Sequence, residues 1–437
     1  MLTDDEEKVL NYINEKELVD LAVEMGNIYS PAGNEVEIGN FIYDWLLKNN
    51  FNPKKYFINK DRFNVVTTEK GEGEGKDLIF NAHMETELSP EENKWAMVNP
   101  QEESYPKAWV EGNKIFGRSV LNDRGSMAAY MIACKAIKNS GIKLKGNLIQ
   151  TMVIGEIGMA PVDEFEGLGY EGKGLGTEYL VHHGITGDYA IVAETTNFGI
   201  VPVEAGACYY KITVEGNAIY TPRFQRPEKI TQHPNAIVKM AKIIEKIEEW
   251  AIKYEKKFAK EYSSGMLYPK ANIGAIRGGV PYRPARTSGL CCLYGDIRIP
   301  PDIKLQIVTE DLQKALNETG IDTQLDIFFY REGFEAKNIE ELVEVIEKAN
   351  KNVRNKELAK VLTEEMSMWR DINIFNKYRI PALVFGPTRQ ILEKEYEVKD
   401  RLAAKDPGGK LKYFEKKDLL NAAKIYGLTA INICNKG

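Results

Sequence analysis

Leu78-Ile79-Phe80-Asn81-Ala82-His83-Met84-Glu85 opens the segment, extending to Glu194, around which the rest of the chain is built. The run is apolar and then stops at polar residues, a pattern typical of a buried strand that ends at a site. Further apolar segments end on Asn122, Glu156 and Glu194. In an open α/β sheet, side chains at the carboxyl ends of strands meet in one crevice. One imidazole and two carboxylates there indicate a divalent-metal hydrolase.

The order of these residues resembles the M20 metallopeptidase and deacylase family, which includes acetylornithine deacetylase and succinyl-diaminopimelate desuccinylase. The matching features are His83-x-Glu85, Gly117-Arg118 with Asn122-Asp123-Arg124-Gly125, a strand ending at Glu156, and Glu194-Thr195-Thr196. The resemblance implies a zinc-exopeptidase-like α/β catalytic domain with a mixed sheet and an inserted α+β lid or dimerisation domain. It also implies hydrolysis of an amide bond, of the N-acyl amino acid deacylase or dipeptidase type.

Length, composition and charge limit the classes of protein to consider. A chain of 437 residues is too long for one ordinary core, so we expect two domains. A hydrophobic content of 43% and a charged content of 28% are typical of a soluble globular protein. The net charge of −6 argues against general nucleic-acid binding. No apolar run approaches the ~20 residues of a membrane span, so we expect no membrane partner.

The N-terminus and the cysteines predict a cytoplasmic location. Residues 1–7 are largely acidic and lack the apolar region of a secretory signal. The five cysteines are scattered and show no metal-binding spacing. We therefore expect reduced thiols.

Hydrophobic periodicity indicates how the chain is divided. Apolar spacing predicts helical regions at 4–24 and 35–49. From about Gly206 the pattern predicts a β-α-β-β-α-β order: strand 209–214, helix 236–256, strands 271–276 and 290–299, helix 302–319 and strand 323–330. We therefore assign 1–205 and 332–437 to the catalytic domain and 206–331 to the inserted domain. The resemblance implies a homodimer through that inserted domain.

The resemblance assigns His83 and Glu194 to a first metal ion, with the acid at Glu85 orienting His83 from behind. Asn122 stands where the family has a metal-bridging aspartate, and a neutral carboxamide is a poor bridge. Asp123 is a less favoured substitute, because a neighbouring residue in a regular turn would point elsewhere.

A second metal site is degenerate in this chain. Besides Asn122, Ile157 replaces a family glutamate, and no histidine follows His233. We therefore predict one divalent cation, zinc or else manganese or cobalt, held by His83, Asn122 and Glu194. Since these ligands are few, we expect the cation to bind weakly. The alternative that the protein binds no metal ion is kept.

Glu156 is the candidate general base. Counting along the strand without gaps places it at the family's base and Ile157 at the metal ligand. The other register would make Glu156 the ligand and leave no base. A buried glutamate whose pKa rises toward neutrality can move a proton between water and a leaving amine.

The inserted domain carries candidate substrate residues. Tyr220 stands in place of a family lid histidine, and its phenol can still donate a hydrogen bond to a carbonyl oxygen. Arg283 and Arg286 indicate a small substrate with a carboxylate, because arginine binds carboxylates bidentately. By resemblance, Asn235 and Gly386 complete the substrate-binding set.

Several alternatives remain. His182 and His183 are adjacent on a helix that ends before Gly184, so they point about 100° apart and rarely bind one ion together. The loop 94–110 is a candidate pocket rim. The chain could also be a metal-independent enzyme on the same scaffold or a non-catalytic ligand-binding protein.

Overall fold

The structure, a computed structural model, describes residues 2–86, 108–392 and 412–436. Most of the loop 94–110 therefore lies outside the described residues. The strands are β1 Lys54–Phe57, β2 Phe63–Glu69, β3 Leu78–His83, β4 Trp109–Glu111, β5 Lys114–Phe116, β6 Leu148–Val153, β7 Tyr189–Val192, β8 Val203–Glu204, β9 Gly206–Glu215, β10 Lys260–Tyr262, β11 Gly265–Leu267, β12 Lys270–Gly278, β13 Leu290–Ile299, β14 Gln324–Arg331, β15 Phe334–Glu335, β16 Ala382–Val384, β17 Gln390–Ile391 and β18 Lys412–Glu415. The α-helices are α1 Asp4–Tyr12, α2 Glu15–Gly26, α3 Val36–Lys48, α4 Gly125–Ser140, α5 Leu175–His182, α6 Ala236–Lys257, α7 Leu305–Asn317, α8 Glu340–Arg354, α9 Thr363–Met366, α10 Ile372–Lys377 and α11 Lys416–Cys434.

The chain forms two compact units. The first comprises Met1–Pro202, Ala336–Val361 and Arg370–Gly437, and the second comprises Val203–Glu335 and Leu362–Trp369. The sequence pattern had assigned 362–369 to the catalytic domain, which is wrong. This segment returns to the second unit, where the N–H of Ala205 donates to the carbonyl oxygen of Met366 at 2.9 Å. Ser367 Oγ also donates to the carbonyl oxygen of Tyr268 at 2.6 Å. A four-residue helix held by such long-range contacts leaves no periodic signal in the sequence.

The first unit is built on a mixed six-stranded sheet in the order β1-β2-β6-β3-β7-β16. β1, β2 and β6 pair antiparallel, while β6, β3, β7 and β16 run parallel. The carboxyl ends of the four parallel strands therefore share one edge of the sheet. A smaller antiparallel sheet, β17-β18-β5-β4, completes this unit in the described residues.

Helix α4 anchors the core of the first unit. It is buried along nearly its whole length, from Gly125 to Ser140, and it packs against α11 and β3. A helix that is apolar over most of its surface has to be enclosed in this way. Lys135, Lys138 and Asn139 form its less buried side. Its Tyr130 stacks on Phe80 of β3 with ring centroids 5.6 Å apart, and its hydroxyl donates to the carbonyl oxygen of Thr151 at 3.1 Å. The close packing of α4 against β3 thus holds the end of the strand that carries His83 in place.

The second unit has the predicted β-α-β-β-α-β order. Its antiparallel sheet runs β12-β13-β9-β14, and α6 and α7 pack together over it. The hairpin β10–β11 is an addition after α6. Alternate residues of β9 are buried, as expected for a sheet with one face in the core. The predicted fold class, a mixed-sheet α/β domain with an inserted α+β domain, is confirmed.

Two bulk features of the described residues complete the fold. None of their helices is both long enough and apolar enough to cross a membrane. All five cysteines fall within the described residues, and each is a buried free thiol.

Candidate active site

His83 is the last residue of β3 and points into the edge where the parallel strands end. Its side chain is buried, and Nδ1 lies 3.1 Å from the carbonyl oxygen of Glu85. Because a carbonyl only accepts, Nδ1 carries the hydrogen. A neutral ring then turns the lone pair of Nε2 toward the site, which is the form that binds a metal ion. The main-chain carbonyl of Glu85, rather than the expected carboxylate, orients this ring.

Asn122 and Asp123 both reach the site. Asn122 leaves the helical conformation, with φ −149° and ψ 92°, although its neighbours are helical. Its Oδ1 lies 3.3 Å from Nε2 of His83. Asp123 is buried as well, and the expectation that it points elsewhere is wrong, because that expectation assumed a regular turn. The peptide bond between the two residues is cis.

Glu194 follows β7 and is held by an arginine. Oε2 of Glu194 accepts a hydrogen bond from Nε of Arg370 at 2.7 Å, and both side chains are almost fully buried. Arg370 lies immediately before α10. The sequence had drawn attention to Glu194 but not to Arg370.

Glu156 follows β6 by way of a tight turn at Gly155. Gly155 has φ +71°, and a Cβ there would come within 2.9 Å of Leu175 Cβ, so glycine is required. Oε2 of Glu156 lies 4.0 Å from Nε2 of His83. The carboxylate of Glu85 fixes this turn, because its Oε1 accepts from the N–H groups of Glu156 at 2.6 Å and Ile157 at 3.0 Å. Glu85 therefore supports the base candidate directly.

Three side chains form a group that fits a cation. His83, Asp123 and Glu194 each offer one ligand atom, and these atoms lie within 4.8 Å of one another. Both carboxylate oxygens of Asp123 are buried without a close hydrogen-bond partner in the described structure, and the main chain of His83 offsets this only in part. Buried polar atoms are rarely left unpaired, so a divalent cation is a fitting partner for this carboxylate. Imidazole nitrogen and carboxylate oxygen are ligands that zinc and related ions accept.

The pKa shifts of the group also indicate a site for a cation. Burial lowers the pKa of His83, but the negative charges of Glu85, Glu156 and Glu194 outweigh it, so the pKa is raised. Burial raises the pKa of Asp123 well above its usual value, and the charges of Glu194 and Glu156 add to this. Carboxylates are thus crowded in a buried space, which a cation would relieve.

The pKa of Glu156 is raised by burial, while the charges of Lys173 and His83 oppose the rise. The N–H of Lys173 donates to the carbonyl oxygen of Glu156 at 3.1 Å, and the Lys173 side chain is buried. Glu156 is therefore a carboxyl group whose proton affinity lies above that of a solvated glutamate. This is the property a general base needs near neutral pH.

A buried polar chain lies behind the site. Nδ2 of Asn81 donates to Thr177 Oγ1 at 3.0 Å, and Thr177 in turn donates to Oδ2 of Asp371 at 2.5 Å. Burial and the charge of Glu156 raise the pKa of Asp371 well above its usual value. Asp371, next to Arg370, therefore adds another acidic group to the surroundings of Glu156.

Gly386 lies against the turn that presents Glu194, and its role toward a substrate stays a prediction. Its N–H donates to Oγ1 of Thr196 at 3.0 Å. A Cβ at Gly386 would meet the carbonyl oxygen of Glu194 at 2.1 Å. Gly386 therefore lets β16 approach the turn that presents Glu194, and its N–H is already used within the protein.

The other candidate substrate residues belong to the second unit. Tyr220, Arg283 and Arg286 are exposed, and Tyr220 and Arg286 form an isolated β-bridge. Asn235 caps α6: its Oδ1 accepts from the N–H of Ile237 and from that of Ser288, each at 3.1 Å. Their roles toward a substrate remain predictions.

His182 and His183 are outside the group. They end α5, where Nε2 of His182 lies 2.7 Å from the Tyr378 hydroxyl and Nδ1 of His183 lies 2.7 Å from the carbonyl oxygen of Tyr179. Both side chains are exposed.

Sequence reasoning missed Arg370, Lys173 and Asp371. None lies in a recognisable motif, and Arg370 is separated from Glu194 by 176 positions. The available signal was indirect. Carboxylates that converge in a buried crevice need positive partners. The carboxylates therefore implied a basic partner in the same domain, but they did not indicate which residue it is.

The sequence model described as peptidase family M20/M25/M40 matches residues 79–430. The chain is 24% identical over 406 residues to N-formyl-4-amino-5-aminomethyl-2-methylpyrimidine deformylase of Halalkalibacterium halodurans, which covers 85% of this chain and 86% of that protein. It is 23% identical over 212 residues to a probable succinyl-diaminopimelate desuccinylase of Staphylococcus aureus, covering 48% of this chain and 47% of that protein.

Solved structures share the fold. Aminopeptidase PepT from Bacillus cereus superposes with a TM-score of 0.64 at 16% identity, covering 97% of this chain and 100% of that one. A dinuclear metal-binding peptidase of the M20 family from Bacillus subtilis gives a TM-score of 0.57 at 11% identity, covering 96% of this chain and 98% of that one.

Proposed function

The chain belongs to peptidase family M20/M25/M40 and is an amide-bond hydrolase of that family, and from this premise we propose that it works with one divalent cation and with Glu156 as general base. The observation that carries the proposal is the group of His83, Asp123 and Glu194, whose ligand atoms lie within 4.8 Å of one another. Asp123 replaces Asn122 as the preferred oxygen ligand. Asn122 is close enough to contribute its carboxamide oxygen.

In the proposed reaction Glu156 holds and moves the proton. Its carboxylate takes a proton from the attacking water, and it then returns this proton to the leaving amine. Glu85 keeps Glu156 in place through the two main-chain hydrogen bonds at Glu156 and Ile157. A divalent cation, when bound, supplies Lewis-acid polarisation of the substrate carbonyl. The position of Glu156 beside the three ligands, rather than among them, supports the base over the ligand register.

The substrate we propose is a small N-acyl compound with a carboxylate. The names of the two relatives support this class, since one is a deformylase and the other a probable desuccinylase. Arg283 and Arg286 are the proposed carboxylate-binding residues, and Tyr220 and Asn235 the proposed further contacts. N-formyl and N-succinyl amino acids are therefore the first compounds to test.

The test combines metal content with turnover. We expect about one equivalent of zinc, manganese or cobalt by plasma mass spectrometry, and none in His83→Ala. Glu156→Gln should keep the cation and lose activity by a factor of about 100 to 10,000, the usual contribution of a general base. Unchanged turnover in Glu156→Gln would remove Glu156 from the mechanism.

One observation favours a second candidate, a metal-independent enzyme. The buried guanidinium of Arg370 already gives Glu194 a positive partner without any cation. Full turnover in protein that holds no metal under any loading would support this candidate. Binding of substrate without any turnover would instead indicate a non-catalytic ligand-binding protein.

We also propose a cytoplasmic homodimer. Five buried free thiols are typical of a reducing compartment. Dimerisation through the second unit is supported by apolar side chains exposed on and around its edge strand β12: Ile276, Val280, Tyr282 and Leu290. Light scattering after gel filtration should give twice the mass of the chain.

A further inference from the structure

Arg370 is a permanent positive charge placed among the groups that fit a cation. Its Nε binds Oε2 of Glu194 at 2.7 Å, and its side chain is only 4% exposed. One of the three side chains that fit a cation is therefore already paired with a guanidinium.

This placement limits what the carboxylates can hold. A guanidinium stays protonated at any pH that a protein tolerates, so it cannot release its charge when a metal ion binds. Repulsion between a buried guanidinium and nearby cations is weakly screened, because solvent and salt are excluded. One divalent cation at His83, Asp123 and Glu194 must already share Glu194 with Arg370. A second would compete with Arg370 for Glu194.

Glu156 is a further carboxylate beside the group, with Oε2 4.0 Å from Nε2 of His83, and we assign it as the base. Asn122 and Ile157 add little to a second cation position. Asn122 is a neutral amide, with Oδ1 at 3.3 Å from Nε2 of His83. Ile157, which follows Glu156, is apolar. The positive charge that a second cation would supply is thus supplied by the guanidinium of Arg370.

We propose that Arg370 is a positioning residue that restricts this site to a single divalent cation, by holding Glu194 with a fixed positive charge. The inference rests on the proposed one-cation function. For the metal affinity of a variant without Arg370, it predicts a change opposite in sign to the one that a purely structural role predicts. If Arg370 only held Glu194 in place, its removal would weaken metal binding, whereas removal of a competing charge should strengthen it.

The experiment measures binding of Co²⁺ to the purified full-length chain by calorimetry and by metal content after dialysis. Arg370→Met removes the charge and keeps an unbranched side chain, and Arg370→Lys keeps the charge. We expect about one equivalent in the wild type and in Arg370→Lys. In Arg370→Met we expect at least tenfold tighter binding, a second equivalent, or both. Equal or weaker binding in Arg370→Met, with an unchanged equivalent number, would overturn the proposal.

A second variant covers the case in which Arg370→Met does not fold. Asn122→Asp adds a carboxylate while Arg370 remains, so we expect the stoichiometry to stay at one. Two equivalents in Asn122→Asp would show that Arg370 does not set the limit.

Failure of the proposed function has a different signature. If the wild type holds no Co²⁺ but Arg370→Met gains one equivalent, the one-cation function is wrong and the role of Arg370 as a competing charge stands. If neither protein holds any, both are wrong.

Discussion

At the scale of single residues, the site depends on which of two neighbours supplies the oxygen ligand. Asp123 has two buried carboxylate oxygens without a close hydrogen-bond partner in the described structure, while Asn122 can offer only a neutral amide oxygen. We predict that Asp123→Asn lowers the affinity for Mn²⁺ by about 100-fold, the upper end of the effect of losing a group that supports a metal ligand. Calorimetric titration with Mn²⁺ measures this directly.

Asn122→Ala is the matched control for Asp123→Asn, because both variants alter the same turn. It should change the affinity by less than about tenfold, the lower end of that range. A larger loss of Mn²⁺ affinity in Asn122→Ala than in Asp123→Asn would mean that Asn122, and not Asp123, is the oxygen ligand.

The sequence predicted His83, Glu156 and Glu194 for this region because each ends an apolar run, a signal that is local. It named Asp123 only as a less favoured substitute for Asn122, and it did not predict Arg370. The side chain of Asp123 turns inward only because Asn122 leaves the helical conformation. The contact of Arg370 spans 176 positions and depends on how the strands are ordered in the sheet.

At the scale of elements, Arg124 joins the start of α4 to the segment after β3. Its side chain is fully buried; Nε and Nη2 donate to the carbonyl oxygen of Met84 at 3.0 and 2.8 Å. Nη1 donates to the carbonyl oxygens of Met25 and Ile28, each at 2.6 Å, and Nη2 also reaches Ser30 Oγ. We predict that Arg124→Lys lowers the free energy of unfolding by about 3 kcal/mol, since an ammonium cannot reach all these acceptors. Urea denaturation provides the measurement.

Lys138 on the same helix gives the control. It pairs with Glu69 at 2.7 Å near the surface. Lys138→Gln should therefore cost no more than about 1 kcal/mol. Equal losses in the two variants would mean that burial of Arg124 adds nothing.

Element boundaries followed the sequence where the apolar pattern was strong. Strand β13 has the predicted limits, 290–299, and α6 extends one residue beyond the predicted helix. The predicted helical region 4–24 is instead α1 and α2, separated at Ile13 and Asn14. The side chain of Asn14 caps α2 by accepting from the N–H of Glu17 at 2.9 Å, so a capping residue inside an apolar pattern was the overlooked signal.

At the scale of the whole molecule, a cation should stabilise one unit and not the other. All three proposed ligands, and Arg370, belong to the first unit. A cation at 100 times its dissociation constant adds about 2.7 kcal/mol to the stability of the form that binds it. We predict this gain in hydrogen-exchange protection for β3, β6 and β7, with β9 and β13 unchanged.

At the same cation concentration, Asp123→Asn should reduce that gain to about 0.4 kcal/mol, because the concentration then only equals the weakened dissociation constant. Exchange in the second unit should stay as it was. A uniform rise in protection across both units, with or without Asp123, would contradict a cation bound at this group. The two-unit architecture itself was predictable, because the change from parallel to antiparallel patterning near Gly206 is visible in the sequence. The return of 362–369 to the second unit was not, because it depends on contacts such as that between Ala205 and Met366.

Burial makes the native cysteines poorly reactive toward thiol-specific reagents. A thiol reacts as the thiolate, and burial raises the pKa of Cys208 and of Cys434 to about 12 and that of Cys291 to about 11. Maleimide dyes should therefore leave the native cysteines unlabelled under mild conditions. One cysteine introduced on the surface of each unit would then accept a donor and an acceptor fluorophore, so that energy transfer could follow the two units during turnover in an otherwise wild-type background.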